Sequence, residues 1–173
     1  MIKIIDNFLP EEEFLNIKDL IEGREFPWYF NRSKIHHGDG KFQHVHTFFK
    51  YEGVKNVNDT VKIELNSPYL EIWNNFMNKI EATRCYRVKA NMTLKLSSQI
   101  ADDSDWHVDS QGDALKTAVF YINTNDGYTE LESGVRVGSI ANRVCIFDSN
   151  LKHRGTTHTE GDQQRIVVNF NYA

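Results

Sequence analysis

The chain has 173 residues, a formal net charge of -4, two cysteines and 12% aromatic residues. That length buries one full core and is short for two, so a single domain over residues 1–173 is expected. The acidic balance disfavours a nucleic-acid partner, whose phosphates select for basic excess, and no apolar run approaches the ~20 residues of a membrane-spanning helix.

The opening Met1–Asp6 is too short and too soon interrupted by charge for a signal peptide. Cys85 and Cys145 lie in or beside apolar runs, as buried free thiols do in a reducing compartment. A cytoplasmic location is expected, the host cytoplasm if the chain is phage-encoded.

A first strand covers residues 1–5. Pro10 to Ile21 reads as an amphipathic helix, with Pro10 at its first position, Glu11, Glu12 and Glu13 at its positive end, Phe14, Ile17 and Ile21 on one face, and Gly23 as the stop. A second helix is predicted over residues 68–82, with Ser67 as N-cap and Tyr69, Ile72, Trp73, Phe76 and Ile80 as its apolar stripe. The remaining β-branched and aromatic runs read as strands over residues 45–51, 87–96, 117–122, 129–137, 143–147 and 165–172. Asn125-Asp126-Gly127 is a turn between two of them. Helices early and strands late point to a β-sandwich or open barrel with helices packed on one sheet.

The loop over residues 97–105 is polar and leads into Trp106-His107-Val108-Asp109. Asp102, Asp103, Asp105, Asp109 and Asp113 crowd this region, but their spacing lacks the calcium-loop register, and a solvated acidic loop is expected.

His-x-Asp/Glu occurs three times, at His37-Gly38-Asp39, His107-Val108-Asp109 and His158-Thr159-Glu160. On an extended strand, residues i and i+2 project to one face, so His107 and Asp109 can reach a common metal while Val108 faces away. His153 follows the apolar strand Val144–Phe147 through a turn and can supply a third ligand. Two histidines and one carboxylate hold one face of non-heme Fe(II) and leave the other open. Arg165 begins the last apolar strand, from which a guanidinium can pair bidentately with a carboxylate. The other two matches lack this support: the His37 match runs through a turn with Gly38 and Gly40, and His158 lies in a polar loop expected to face solvent.

His44 and His46 open a pattern resembling a cupin metal motif, but Glu52 comes too late for it. They are expected to be polar residues on one face of a strand, facing a pocket.

With these residues assembled, the chain resembles the Fe(II)/2-oxoglutarate-dependent oxygenases, particularly small prolyl-4-hydroxylase-like members of bacteria and marine phages. The resemblance runs through Ile4–Pro10, Phe26–Tyr29, Lys116–Asn125, Ala141–Asn150 and Arg165–Tyr172. It implies a mainly β fold, a double-stranded β-helix or jelly roll, with two supporting helices in the N-terminal half. His107, Asp109 and His153 match the family's iron ligands, and Arg165 matches the residue that binds the distal carboxylate of 2-oxoglutarate. Decarboxylation to succinate is then coupled, with O2, to attack on an unactivated C–H bond, and ascorbate is an expected stimulant. Related halogenases carry a small residue in place of the carboxylate, so Asp109 favours hydroxylation or oxidative demethylation.

Many relatives have a tyrosine contact to the cosubstrate on the strand before the first ligand. Here that strand offers Asn91, Thr93 or Lys95, and Asn169 is a further candidate from the last strand. Trp28, Tyr29, Trp106 and Arg154, with His44 and His46, are candidates for the substrate side. The implied substrate is a prolyl or other residue of a protein or peptide. The alternatives are an alkylated nucleic-acid base, or no turnover at all, as in a jelly-roll binding or phage structural domain.

Overall fold

The computed structural model describes residues 1–35, 38–52, 62–65, 67–109 and 115–173. Helix α1 (Glu11–Glu22) begins one residue later than expected: Pro10 is its N-cap rather than its first residue, and its carbonyl accepts from Phe14 N–H at 2.9 Å. Phe14, Ile17 and Ile21 are buried, as the periodicity requires. Gly23 closes the helix, and a Cβ there would stand 2.9 Å from the Asp19 carbonyl oxygen, too close for any larger residue.

The predicted helix over residues 68–82 is shorter and broken. A 3₁₀ turn (Leu70–Trp73) precedes α2 (Asn74–Lys79); its N-cap is Tyr69, and Ser67, the expected cap, instead accepts from Tyr69 N–H at 3.1 Å in the turn before it. Paired asparagines at 74 and 75 are weak helix formers, and Glu81 at φ 57° ends the segment. The apolar pattern is nevertheless satisfied, because Trp73 and Phe76 are wholly buried and Phe76 stacks on Phe170 with ring centroids 4.1 Å apart.

The described strands are β1 (Lys3–Ile5), β2 (Tyr29–Asn31), β3 (Gln43–Glu52), β4 (Lys62–Leu65), β5 (Cys85–Leu94), β6 (Lys116–Tyr121), β7 (Tyr128–Leu131), β8 (Arg136–Gly138), β9 (Arg143–Asp148), β10 (His153–Gly155) and β11 (Gln164–Tyr172). The large antiparallel sheet runs β1-β9-β6-β11-β5-β3-β2, with β4 paired to β3, and the small one runs β10-β7-β8. The stretch over residues 129–137, expected as one strand, is a hairpin: Gly134 at φ +85° turns the chain, and Leu131 N–H bonds Val135 O at 2.9 Å. Strands β2 and β10 have three residues each, too few for alternation to reveal them in the sequence.

Alternation on β11 sorts the molecule into layers. Ile166, Val168, Phe170 and Tyr172 join the core beneath the helices with Phe14, Ile17, Trp73 and Phe76. Val167 turns the other way and packs with Val119, Tyr121, Leu131 and Phe147 between the two sheets. The architecture is a mainly β jelly roll with two helices in its N-terminal half, as expected. No helix among the described residues is long and apolar enough to cross a membrane.

Candidate functional site

Strand β10 and the segment carrying His107 are zipped together. His107 N–H bonds His153 O at 3.1 Å, His153 N–H returns to His107 O at 2.9 Å, and Asp109 N–H bonds Ser149 O at 3.2 Å. This extended pairing puts one potential ligand atom from each of His107, Asp109 and His153 within 4.8 Å of the others. His107 Nδ1 donates to Asp105 O at 2.8 Å and His153 Nδ1 to Leu151 O at 3.1 Å. A ring nitrogen against a carbonyl carries the proton, so each Nε2 keeps a lone pair for a metal. His153 Nε2 is buried without a hydrogen-bond partner, 3.7 Å from Asp109 Oδ2. An orphaned acceptor facing a carboxylate fits a divalent cation between them.

Asp109 is held on both oxygens. Arg87 Nη2 donates to Oδ1 at 2.8 Å, while Thr117 Oγ1 and Asn171 Nδ2 donate to Oδ2 at 2.9 and 3.0 Å. Burial opposes ionisation, but the Arg87 guanidinium, His153 and the Asn171 hydrogen bond outweigh it and lower the carboxyl to about 2. Burial and neighbouring His153 lower His107, which keeps it neutral and able to ligate.

The three residues line a cavity of about 410 Å³ that also contains Arg165. Arg165 is 5% exposed, and burial lowers its pKa. Its Nε donates to Ser139 Oγ at 2.8 Å, its Nη2 lies 3.5 Å from Thr129 Oγ1, and no carboxylate pairs with it among the described residues. Gly127 makes room for it: a Cβ there would stand 2.6 Å from Arg165 Cδ and 2.8 Å from Nε. The turn that contains Gly127 is the predicted one, pinned by Asn125 Oδ1, which accepts from Gly127 N–H at 3.0 Å.

Asn91 and Asn169 line the same cavity, as does Thr93. Asn169 Oδ1 and Thr93 Oγ1 are buried without partners. Lys95 does not line it, and its ammonium lies 3.4 Å from Gly161 O. The substrate-side candidates stand elsewhere. Trp28 packs against the helix-side core and donates to Ile21 O at 3.3 Å, and Tyr29 is exposed outside the cavity. The Arg154 guanidinium covers the Trp106 ring at 4.6 Å and pairs with Glu130 and Asp103.

His44 and His46 do not face the cavity. Ahead of the bulge at Thr47–Phe49, β3 turns Gln43 inward, so His44 and His46 point to the other face. His46, 2% exposed, bonds Pro27 O and Ser67 Oγ, each at 2.7 Å, and packs on Phe26 and Phe48. His158, expected in solvent, is fully buried with Nε2 2.9 Å from Asp162 O, because the neighbouring Thr159 and Glu160 N–H groups are tied to Asp126. His37 lies outside the described residues, while its partner in the motif, Asp39, accepts from the N–H groups of Lys34, Ile35 and Lys41 and so shapes a turn.

The loop over residues 97–104 is largely exposed, as expected, and Asp105 at its end is the exception. Asp105 is 3% exposed and pairs with both Lys34 and Lys41, while Asp113 lies outside the described residues. Arg87, Lys89, Thr117 and Asn171 escaped the sequence reading. The signal was present as alternation: residues 87, 89, 91 and 93 share one face of β5, unusually polar for the inside of a sandwich.

No protein-family model and no curated protein matches this sequence. Solved structures do match it in fold. A 2OG-Fe(II) oxygenase family oxidoreductase from Burkholderia pseudomallei aligns over 99% of this chain and 85% of its own, at 15% identity and TM-score 0.65. The prolyl hydroxylase from Trichoplax adhaerens, in complex with a hypoxia inducible factor peptide fragment, aligns over 99% and 82% at 12% identity and TM-score 0.58. The epimerase SnoN, in complex with Fe3+, alpha ketoglutarate and nogalamycin RO, aligns over 99% and 78% at 10% identity and TM-score 0.59. At these identities the likeness is one of fold.

Proposed function

We propose that the chain is an Fe(II)- and 2-oxoglutarate-dependent dioxygenase that hydroxylates an unactivated C–H bond, its substrate a prolyl or other residue of a protein or peptide. One observation carries this reading: a buried guanidinium without a carboxylate partner shares a cavity with two imidazoles and a carboxylate converging within 4.8 Å. Such a cation calls for an anion. A dicarboxylate cosubstrate that also reaches a metal satisfies both features.

His107, Asp109 and His153 would hold the iron, and Arg165 the distal carboxylate, with Ser139 fixing the guanidinium. Arg87, Asn171 and Thr117 keep Asp109 ionised and oriented. Val119 and Val167 give the cavity an apolar stretch that excludes water. Bound iron and cosubstrate supply, with O2, the oxidising power that no side chain has.

The Trichoplax adhaerens structure, which holds a peptide, supports a peptide substrate, and the SnoN complex shows that this fold also serves a small molecule. Cys85 and Cys145 are free thiols, in keeping with a reducing cytoplasm.

Anaerobic addition of Fe(II) and 2-oxoglutarate should produce a weak visible charge-transfer band, lost in His153→Ala. Succinate formation is then followed with proline-containing peptides, free amino acids and methylated oligonucleotides. A folded protein with neither band nor 2-oxoglutarate decarboxylation is a binding domain instead, and stimulation by the oligonucleotides alone moves the substrate to alkylated bases.

A further inference from the structure

The cavity holds more positive charge than a metal site and one cosubstrate require. Four of its lining residues are cations, Lys34, Arg87, Lys89 and Arg165, against the single carboxylate of Asp109. Arg87 is matched by Asp109, and Lys34 by Asp105 at 2.6 Å. Arg165 and Lys89 remain. On the proposed reading Arg165 is taken by the distal carboxylate of 2-oxoglutarate, whose other carboxylate belongs at the metal.

Lys89 therefore has no assigned anion. It has no hydrogen bond and no ion pair among the described residues, although it is half-buried and lines the cavity. Its cross-strand neighbour is Asn169, whose buried Oδ1 also lacks a partner. Arg165 faces Thr93, four residues further along β5, so the two backbone positions stand roughly 13 Å apart at ~3.3 Å per residue. The unmatched cations thus occupy different stretches of the cavity floor.

We infer that Lys89 is a docking point for a carboxylate on the substrate itself, so that the oxygenase acts on an acidic substrate. The Asn169 carbonyl oxygen beside it offers an acceptor to an N–H next to that carboxylate. The ammonium remains protonated near neutrality, since burial, Arg87 and Lys50 lower it only to about 8 against the pull of Asp109. A cation held without a partner in a cavity is costly in the free protein, and an arriving anion recovers that cost. Carboxylates of two origins fit: the free carboxylate of an amino acid, or an acidic side chain within a peptide.

This inference rests on the oxygenase reading for its placement of 2-oxoglutarate, and the test separates the two. Titration calorimetry compares paired probes, free proline against prolinamide and capped proline-containing peptides bearing one Glu against the same peptides bearing Gln. Each pair is run on wild type, Lys89→Gln and Lys89→Arg, first without additives and then with Mn(II) and 2-oxoglutarate.

The expected result is a tenfold or greater preference for the acidic member of at least one pair, a ratio near one in Lys89→Gln, and recovery in Lys89→Arg. The pair that responds identifies the source of the carboxylate. No preference in wild type, a preference that survives in Lys89→Gln, or acidic probes displaced by 2-oxoglutarate would overturn it. Failure of 2-oxoglutarate to bind sinks the oxygenase reading instead, and the additive-free arm still decides whether Lys89 selects carboxylates.

Discussion

Replacing Arg165 with methionine should stabilise the free protein while abolishing its response to 2-oxoglutarate. The guanidinium is 5% exposed, and its contacts are one hydrogen bond to Ser139 at 2.8 Å, a 3.5 Å approach to Thr129 and the Tyr121 ring at 5.9 Å. Burying an ion without a counter-ion costs several kcal/mol even after relaxation. The hydrogen bond to Ser139 returns about 1.5–3 kcal/mol. Methionine removes the cost, fills most of the volume and forfeits that bond, for a net gain of about 1–2 kcal/mol. At ~2–4 °C per kcal/mol for a chain of this size, thermal unfolding without ligand should rise by roughly 3–6 °C. Saturating Mn(II) and 2-oxoglutarate should raise the transition of wild type by mass action but leave that of the variant where Mn(II) alone puts it. An unfolding temperature several degrees below wild type would refute the reasoning, because Arg165 would then be a satisfied structural residue.

Gly127→Ala places a methyl 2.6 Å from Arg165 Cδ, so the guanidinium must leave its seat on Ser139; calorimetry should show 2-oxoglutarate affinity falling tenfold or more with Mn(II) affinity nearly unchanged. Arg87→Met removes the donor to Asp109 Oδ1 and raises that carboxyl, and loss of such a supporting contact should weaken Mn(II) binding by about 10–100-fold, measured by competition with a chelating dye. Lys89 is lowered to about 8, so between pH 8 and its unfolded value the unfolded chain binds more protons than the folded one, and stability rises with pH across that window. Lys89→Met should therefore exceed wild type in urea midpoint at pH 7, and the difference should shrink towards pH 10. A difference that grows over that range contradicts the assigned direction.

The candidate ligand set could be picked out along the chain because its pattern is local chemistry. His107 and Asp109 two apart on an extended segment, a histidine after an apolar strand and an arginine opening the next needed only the two-residue period of a strand. The apolar stripes of α1 and β11 were legible for the same reason, although the second helix opens as a 3₁₀ turn and stops before Glu81 at positive φ, which its stripe does not reveal. Other histidines were misplaced because a polar side chain is expected outside until its partners are known. His46 is buried by bonds to Pro27 and Ser67, 19 and 21 residues away, and His158 by a loop pinned to Asp126.

Residue type and short spacing are properties of a few neighbouring bonds, so they can be read along the chain: a candidate set of ligands, the faces of strands and helices, the absence of a long apolar segment. Which cations face the cavity, which of them lack a partner, and the passage of Arg165 over Gly127 depend on cross-strand register. In β11 and β5 that register joins residues 70 or more positions apart. Pairing over such distances leaves no local mark, and it is what turns Lys89 from one lysine among many into the unmatched charge of the site.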